Sequence, residues 1–218
     1  MTVANGELVI STQREKATCA FAGAPAKEYD WTSGWVDTHF KFATPGNGMV
    51  EIRAALPPAW VRRIWPAAWL LDFDNKRDTG FCWPLSTEAD IYEMTGGLGT
   101  SPICGSVHWG YECNVDKGDA FQCAPRPDDG FHTYGIRFTP DAITWYLDGV
   151  VTGFNGAGFN GQNFLLKPNA IILNTAISTA LDGEVGPFPE GGAKHRFDWI
   201  RVRTRWAVLL RLRTLPLH

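Results

Sequence analysis

Three carboxylates crowd into the segment WPLSTEADIYEM: Glu88, Asp90 and Glu93. Side chains on an extended strand alternate between faces, so Glu88 and Asp90 share one face while Glu93, at an odd offset, points to the other. A β-bulge inserting one extra residue between Asp90 and Glu93 returns Glu93 to the first face and sets the three acids in a row. Carboxylates packed this closely repel one another, so at least one pKa rises and a proton is retained. A protonated carboxyl beside an ionised one is what general acid catalysis needs, and two such groups flanking a bond describe glycoside cleavage. Retention of configuration needs the carboxyls about 5–5.5 Å apart. Strand positions four apart span ~13 Å, so the side chains must lean together over Asp90. Spacing alone leaves a solvated strand face or a calcium site as equal alternatives for the three acids.

The rest of the chain has to position this cluster. Period-2 alternation recurs in MVEIRAAL, where Val50, Ile52, Ala54 and Leu56 share a face opposite Glu51 and Arg53. It predicts further strands over 36–42, 88–94, 105–111, 132–138, 170–178 and 196–204, and a hairpin from AITWYL to VVTGF across Asp148-Gly149. Glycine and proline, 23 and 14 of 218 residues, suit turns between short strands and nearly exclude an all-helical chain. A formal net charge of -3 gives no electrostatic reason to expect nucleic acid or an anionic membrane as partner. No apolar run reaches the ~18 residues of a span, and MTVANGELVIST lacks the layout of a secretory signal.

Five cysteines are an odd number, which leaves one thiol free if the others pair. Cys113 and Cys123 enclose the polar loop NVDKGDAFQ and suit a staple in an oxidising compartment, with a reduced, buried set as the equal alternative. Ten tryptophans exceed the needs of one core, and flat indoles stack well on sugar rings. Trp65 and Trp83 each open a WP dipeptide at a strand start and are expected to stack on sugar, whereas Trp69, inside AAWLL, reads as core.

Taken together, IWPAAWLL (64–71), WPLSTEADIYEM (83–94) and SVHWG (106–110) resemble the catalytic region of glycoside hydrolase family 16, particularly its laminarinase-like β-1,3-glucanases. ANGELVIST, SGWVDTHFKF, GMVEIRAALP, HTYGIRFTPDAITWYLDG, IILNTAIS and FDWIRV extend the likeness over most of the chain. The resemblance implies an all-β fold: an antiparallel jelly-roll β-sandwich of the concanavalin A-like lectin and glucanase type, with a cleft on its concave face. Residues 1–205 would form one catalytic domain, short of an N-terminal strand found in relatives, with 206–218 an atypical tail. Carried over by position, Glu88 is the nucleophile, Glu93 the acid/base and Asp90 the residue that tunes charge between them. The six-residue ExDxxE spacing matches the laminarinase-like branch, and ExDxE of the lichenases does not.

The same resemblance makes Glu51, Arg53, His108 and Asn174 substrate-binding, with Trp65 and Trp83; a surface ion pair is the equal alternative for Glu51 and Arg53. It also gives Asp198 the place of a ligand in the structural calcium site that many members carry. His39, His132 and His195 read as ordinary surface or core residues. No cofactor is needed for catalysis. The expected partner is a polysaccharide met outside the cell, with the protein a monomer. The implied activity is retaining endo-hydrolysis of internal β-1,3 or mixed β-1,3/1,4 linkages in glucans such as laminarin. A transglycosylase of the same family and a glucan-binding lectin are the alternatives. Three departures stand out: Thr87 where the family has glycine, Ala89 where it has a branched residue, and STALDGEVG in place of GGxW.

Overall fold

A computed structural model describes residues 1–20, 23–39, 41–73, 82–85, 87–94, 102–118, 120–156, 167–177 and 188–204. Fifteen strands and no helix are found among them. A seven-stranded antiparallel sheet runs in the order β1 (Thr2–Ala4), β2 (Glu7–Thr12), β15 (Ala193–Arg203), β6 (Gly48–Ala55), β11 (His132–Phe138), β12 (Ile143–Leu147) and β13 (Val150–Asn155). A six-stranded sheet runs β10 (Ala120–Ala124), β9 (Ile103–His108), β8 (Glu88–Glu93), β7 (Ile64–Asp72), β14 (Asn169–Ile177) and β5 (Gly34–Asp37). The hairpin β3 (Ala17–Cys19) and β4 (Lys27–Tyr29) lies beside them. Strands distant in sequence are neighbours in both sheets, the crossing pattern of a jelly roll.

Alternation decides which faces meet. Val50, Ile52 and Ala54 of β6 and Tyr134, Ile136 and Phe138 of β11 are buried against Leu70 of β7, Ile171 and Leu173 of β14 and Tyr92 of β8. Each such side chain removed from water contributes roughly 1.5–3 kcal/mol. His195 is fully buried in the same layer, bonded to Tyr92 Oη at 2.7 Å and Thr175 Oγ1 at 3.1 Å, and burial lowers its pKa to about 3. The β12–β13 hairpin turns on Asp148 and Gly149 with φ of 50° and 79°, the left-handed pair that a two-residue turn demands.

Three expectations need correction. Strand 36–42 stops at Asp37, where the chain turns so that His39 N donates to Asp37 Oδ1. Part of the polar loop NVDKGDAFQ is the edge strand β10, paired with β9. Its register sets Cys123 opposite Cys104, so these two form a disulfide, while Cys113 bonds Cys82 and Cys19 is left free and exposed. The tail at 206–218 and all of STALDGEVG lie outside the described residues.

One tryptophan ties the sheets together. Trp145 of β12 is 2% exposed and crosses the core to donate from Nε1 to the backbone oxygen of Asp90 at 2.8 Å. It fits because position 105 on β9 is glycine, and a Cβ there would overlap the indole. Gly105→Ala should therefore cost about 1–3 kcal/mol through overpacking. Thermal unfolding should register this as a fall in Tm of roughly 3–10 °C for a chain of this size.

Candidate active site

The acidic row is built by two neighbouring registers that disagree by one residue. Against β7, Trp69 pairs with Asp90 but Ala68 pairs with Tyr92, so Ile91 has no partner. Against β9, three steps from Val107 to Cys104 match four steps from Ala89 to Glu93. The bulge places Ile91 and Tyr92 both in the core, at 4% and 0% exposure, and returns Glu93 to the face of Glu88 and Asp90. The three acids line one cavity of about 200 Å³ on the outer face of the six-stranded sheet, with Trp65, Ala67, Trp69, Asn174 and Ala176. A second hollow of about 380 Å³ shares Ala176 and is lined by Tyr29 and Trp31 among others.

Each acid has its own donor. Trp83 Nε1 donates to Glu88 Oε2 at 3.1 Å, and Trp65 Nε1 to Glu93 Oε1 at 2.9 Å. Asp90, 1% exposed, accepts from Ser106 Oγ, and His108 Nε2 stands 3.4 Å from the same carboxylate and 4.0 Å from Glu88 Oε1. Burial, then the charge of Asp90, raises Glu88 to about 8 and Glu93 to about 7. The donors and His108 oppose this without cancelling it. Glu88 and Glu93 between them hold a proton at neutral pH. Burial acts to lower the His108 pKa, but its bonds to Asp90 and Asp116 and the nearby acids raise it to about 10.

Of the residues singled out in the sequence, Glu88, Asp90, Glu93, Trp65 and Asn174 line the cavity. Trp83 and His108 adjoin it, with their rings 5.5 Å apart. Glu51 and Arg53 do not reach it. They project from β6 on the far side of the seven-stranded sheet, with the whole core between them and the acids, and pair there with Arg203 at 2.9 Å and Asp198 at 3.1 Å. Asp198 thus accepts a guanidinium, and among the described residues no three-ligand group of carboxylates, imidazoles or thiols forms around it.

Sequence reasoning missed four residues. Trp69 is on the cavity and not in the core, donating to Asn174 Oδ1 at 2.8 Å. Its even offset from Trp65 carried that signal. Trp35 pairs with Asn174 across β5 and β14 and meets Trp69 edge to face at 5.2 Å. Ser106 shares the parity of His108, whereas Asp116 comes from a turn with no periodicity to betray it.

The sequence model described as Glycosyl hydrolases family 16 matches residues 2–201. The chain belongs to this family. It is 29% identical to the endo-1,3-1,4-beta-glycanase EglC of Rhizobium meliloti (strain 1021) over 92% of this chain and 39% of that one. It is 34% identical to a glucan endo-1,3-beta-glucosidase of Cryptopygus antarcticus over 89% and 72%. The laminarinase catalytic domain of Thermotoga maritima superposes with a TM-score of 0.73 at 30% identity, over 94% of this chain and 80% of that one. The chain spans about two fifths of the length of the Rhizobium relative.

Relative to the family 16 pattern, Thr87 carries a measurable penalty. It stands just before Glu88 with φ of 43°, a conformation that glycine adopts freely and a β-branched residue does not, and its buried Oγ1 has no hydrogen-bond partner. Thr87→Gly should raise Tm by about 2–4 °C, since relief of strain and of the unpaired hydroxyl outweighs the entropy of glycine by about 1 kcal/mol. Glu88→Gln should also stabilise the fold, and more at pH 8 than at pH 5. A carboxyl whose pKa is raised contributes stability below its unfolded value near 4.5 and loses it as pH rises through about 8. Melting curves at both pH values check the sign.

Proposed function

We propose that the chain is a retaining endo-glycosidase acting on internal β-1,3 linkages of glucans. The observation that carries this reading is the bulge at Ile91, which brings Glu88 and Glu93 onto one wall of one cavity. In the first step the Glu88 carboxylate attacks the anomeric carbon while Glu93 delivers its proton to the departing glycosidic oxygen, leaving a glycosyl ester on Glu88. In the second, Glu93, now ionised, takes a proton from water as that water attacks the same carbon, and Glu88 departs as carboxylate. Asp90, held by Ser106, Trp145 and His108, tunes the charge of its neighbours.

Position supports the two roles. His108 faces the Glu88 end of the row at 4.0 Å and draws negative charge there, which suits a nucleophile. Glu93, paired with Trp65 farther along the strand, is left as the acid; burial raises Glu88 (about 8) above Glu93 (about 7) in the free protein, so the proton must pass to Glu93 before attack. Trp65, Trp69 and Trp35 offer indole surface to the apolar faces of glucosyl rings. The second hollow, which shares Ala176 with the first, leaves room for more than one ring and supports attack within a chain. The β-1,3 preference rests on the ExDxxE spacing and on relatives such as the Cryptopygus glucan endo-1,3-beta-glucosidase. A polymer of this kind is met outside the cell.

Reducing-sugar release should be highest on laminarin, lower on lichenan, and absent on agarose, carrageenan and xyloglucan. Glu93→Gln should lower kcat by about 10²–10⁴-fold, and Glu88→Gln by at least as much. The new reducing end should appear in NMR spectra first as the β anomer. An initial α anomer, or a wild-type protein that binds laminarin without cleaving it, would overturn the reading.

A further inference from the structure

His108 is gripped from both sides of its ring. Nδ1 lies 2.6 Å from Asp116 Oδ2, and Nε2 lies 3.4 Å from Asp90 Oδ2 and 3.3 Å from Ser106 Oγ. A carboxylate only accepts hydrogen bonds, and Ser106 has already committed its own proton to Asp90. Both ring nitrogens therefore face acceptors, an arrangement that a neutral imidazole, with one N–H, leaves half satisfied and an imidazolium completes.

Asp116 is itself held in place. Its Oδ1 accepts from Gly118 N at 2.9 Å, and Lys117 N donates to the Trp109 oxygen at 2.7 Å. The turn is fastened to the segment before β8 by the Cys82–Cys113 disulfide and by the bond from Asn114 N to Trp83 O at 2.6 Å. The charged groups facing His108 among the described residues are Glu88 and Asp90 from β8 and Asp116 from the turn, with the Trp83 ring alongside. The neighbouring Lys117 ammonium lies over the Tyr111 ring.

We propose that Asp116 is a positioning residue that keeps His108 in the imidazolium form against Asp90 and Glu88, and so eases ionisation of the attacking carboxylate. This rests on the nucleophilic role given to Glu88 above. Asp116 touches neither the cavity nor any reacting atom, and acts only through the ring. Without it, one N–H of His108 loses its acceptor and the cation loses a counter-charge, so Glu88 must ionise against Asp90 with less help.

The test begins with the free protein. In NMR titration of its histidine side chains, His108 should remain protonated through pH 8, move down by at least one pH unit in Asp116→Asn, and recover in Asp116→Glu. In the kcat/KM profile, the acidic limb of Asp116→Asn should move up by about one unit, a loss of about tenfold below the limb and little above it. Two results would overturn the proposal: a wild-type His108 that titrates near the ordinary ~6.5, or a folded Asp116→Asn whose titration and acidic limb do not move. The first needs no variant. The titration needs no substrate, so it decides the matter even if the protein proves inert on glucans.

Discussion

The unpaired residue in β8 is the constraint on which the site depends. A regular strand would send Glu93 into the core and Tyr92 into the cavity, exchanging a buried charge for an exposed tyrosine. The extra residue avoids both. It also leaves the local ladder incomplete, and the fold compensates from the opposite sheet, where Trp145 donates to the Asp90 carbonyl. That contact requires glycine at position 105, so a residue on β9 and another on β12 are selected by the geometry of a third strand. The acids are held less by their own strand than by the sandwich as a whole.

Holding three carboxyls together is electrostatically costly, and the surroundings answer unevenly. Glu88 and Glu93 each receive one indole N–H, enough to orient the side chain and too little to restore an ordinary pKa. Asp90 is more buried but receives Ser106, and His108 stands beside it. The result is a row whose imidazole stands beside Asp90 and Glu88, an asymmetry between two glutamates that the sequence offers as chemically equal. The strain at Thr87 belongs to the same pattern, an unfavourable backbone immediately before Glu88.

Much of this was legible in the sequence because it is local. HTYGIRF alternates cleanly and forms a strand over those same residues, 132–138. The bulge followed from charge parity alone, since three acids with one odd offset cannot share a face without it. Alternation failed where two faces had to be told apart globally. It put Glu51 and Arg53 together correctly, but could not say that their sheet closes the core from the side away from the acids. The disulfides were misjudged because pairing depends on the β9–β10 register and on a loop returning to Cys82, neither of which is encoded nearby. Asp116 reaches His108 only through that same returning turn.

The bulge also relates two spacings that look incompatible as motifs. Removing Ile91 from EADIYE leaves EADYE, in which both glutamates and the aspartate fall on even offsets of a regular strand. The core side of that strand still receives an alanine and a tyrosine, and Tyr92 still lies toward His195. ExDxxE and ExDxE are thus separated by one deleted codon that disturbs neither the parity of the acids nor the layer beneath them. The loss of one residue would therefore exchange one spacing for the other without turning any of the three acids away from the cavity.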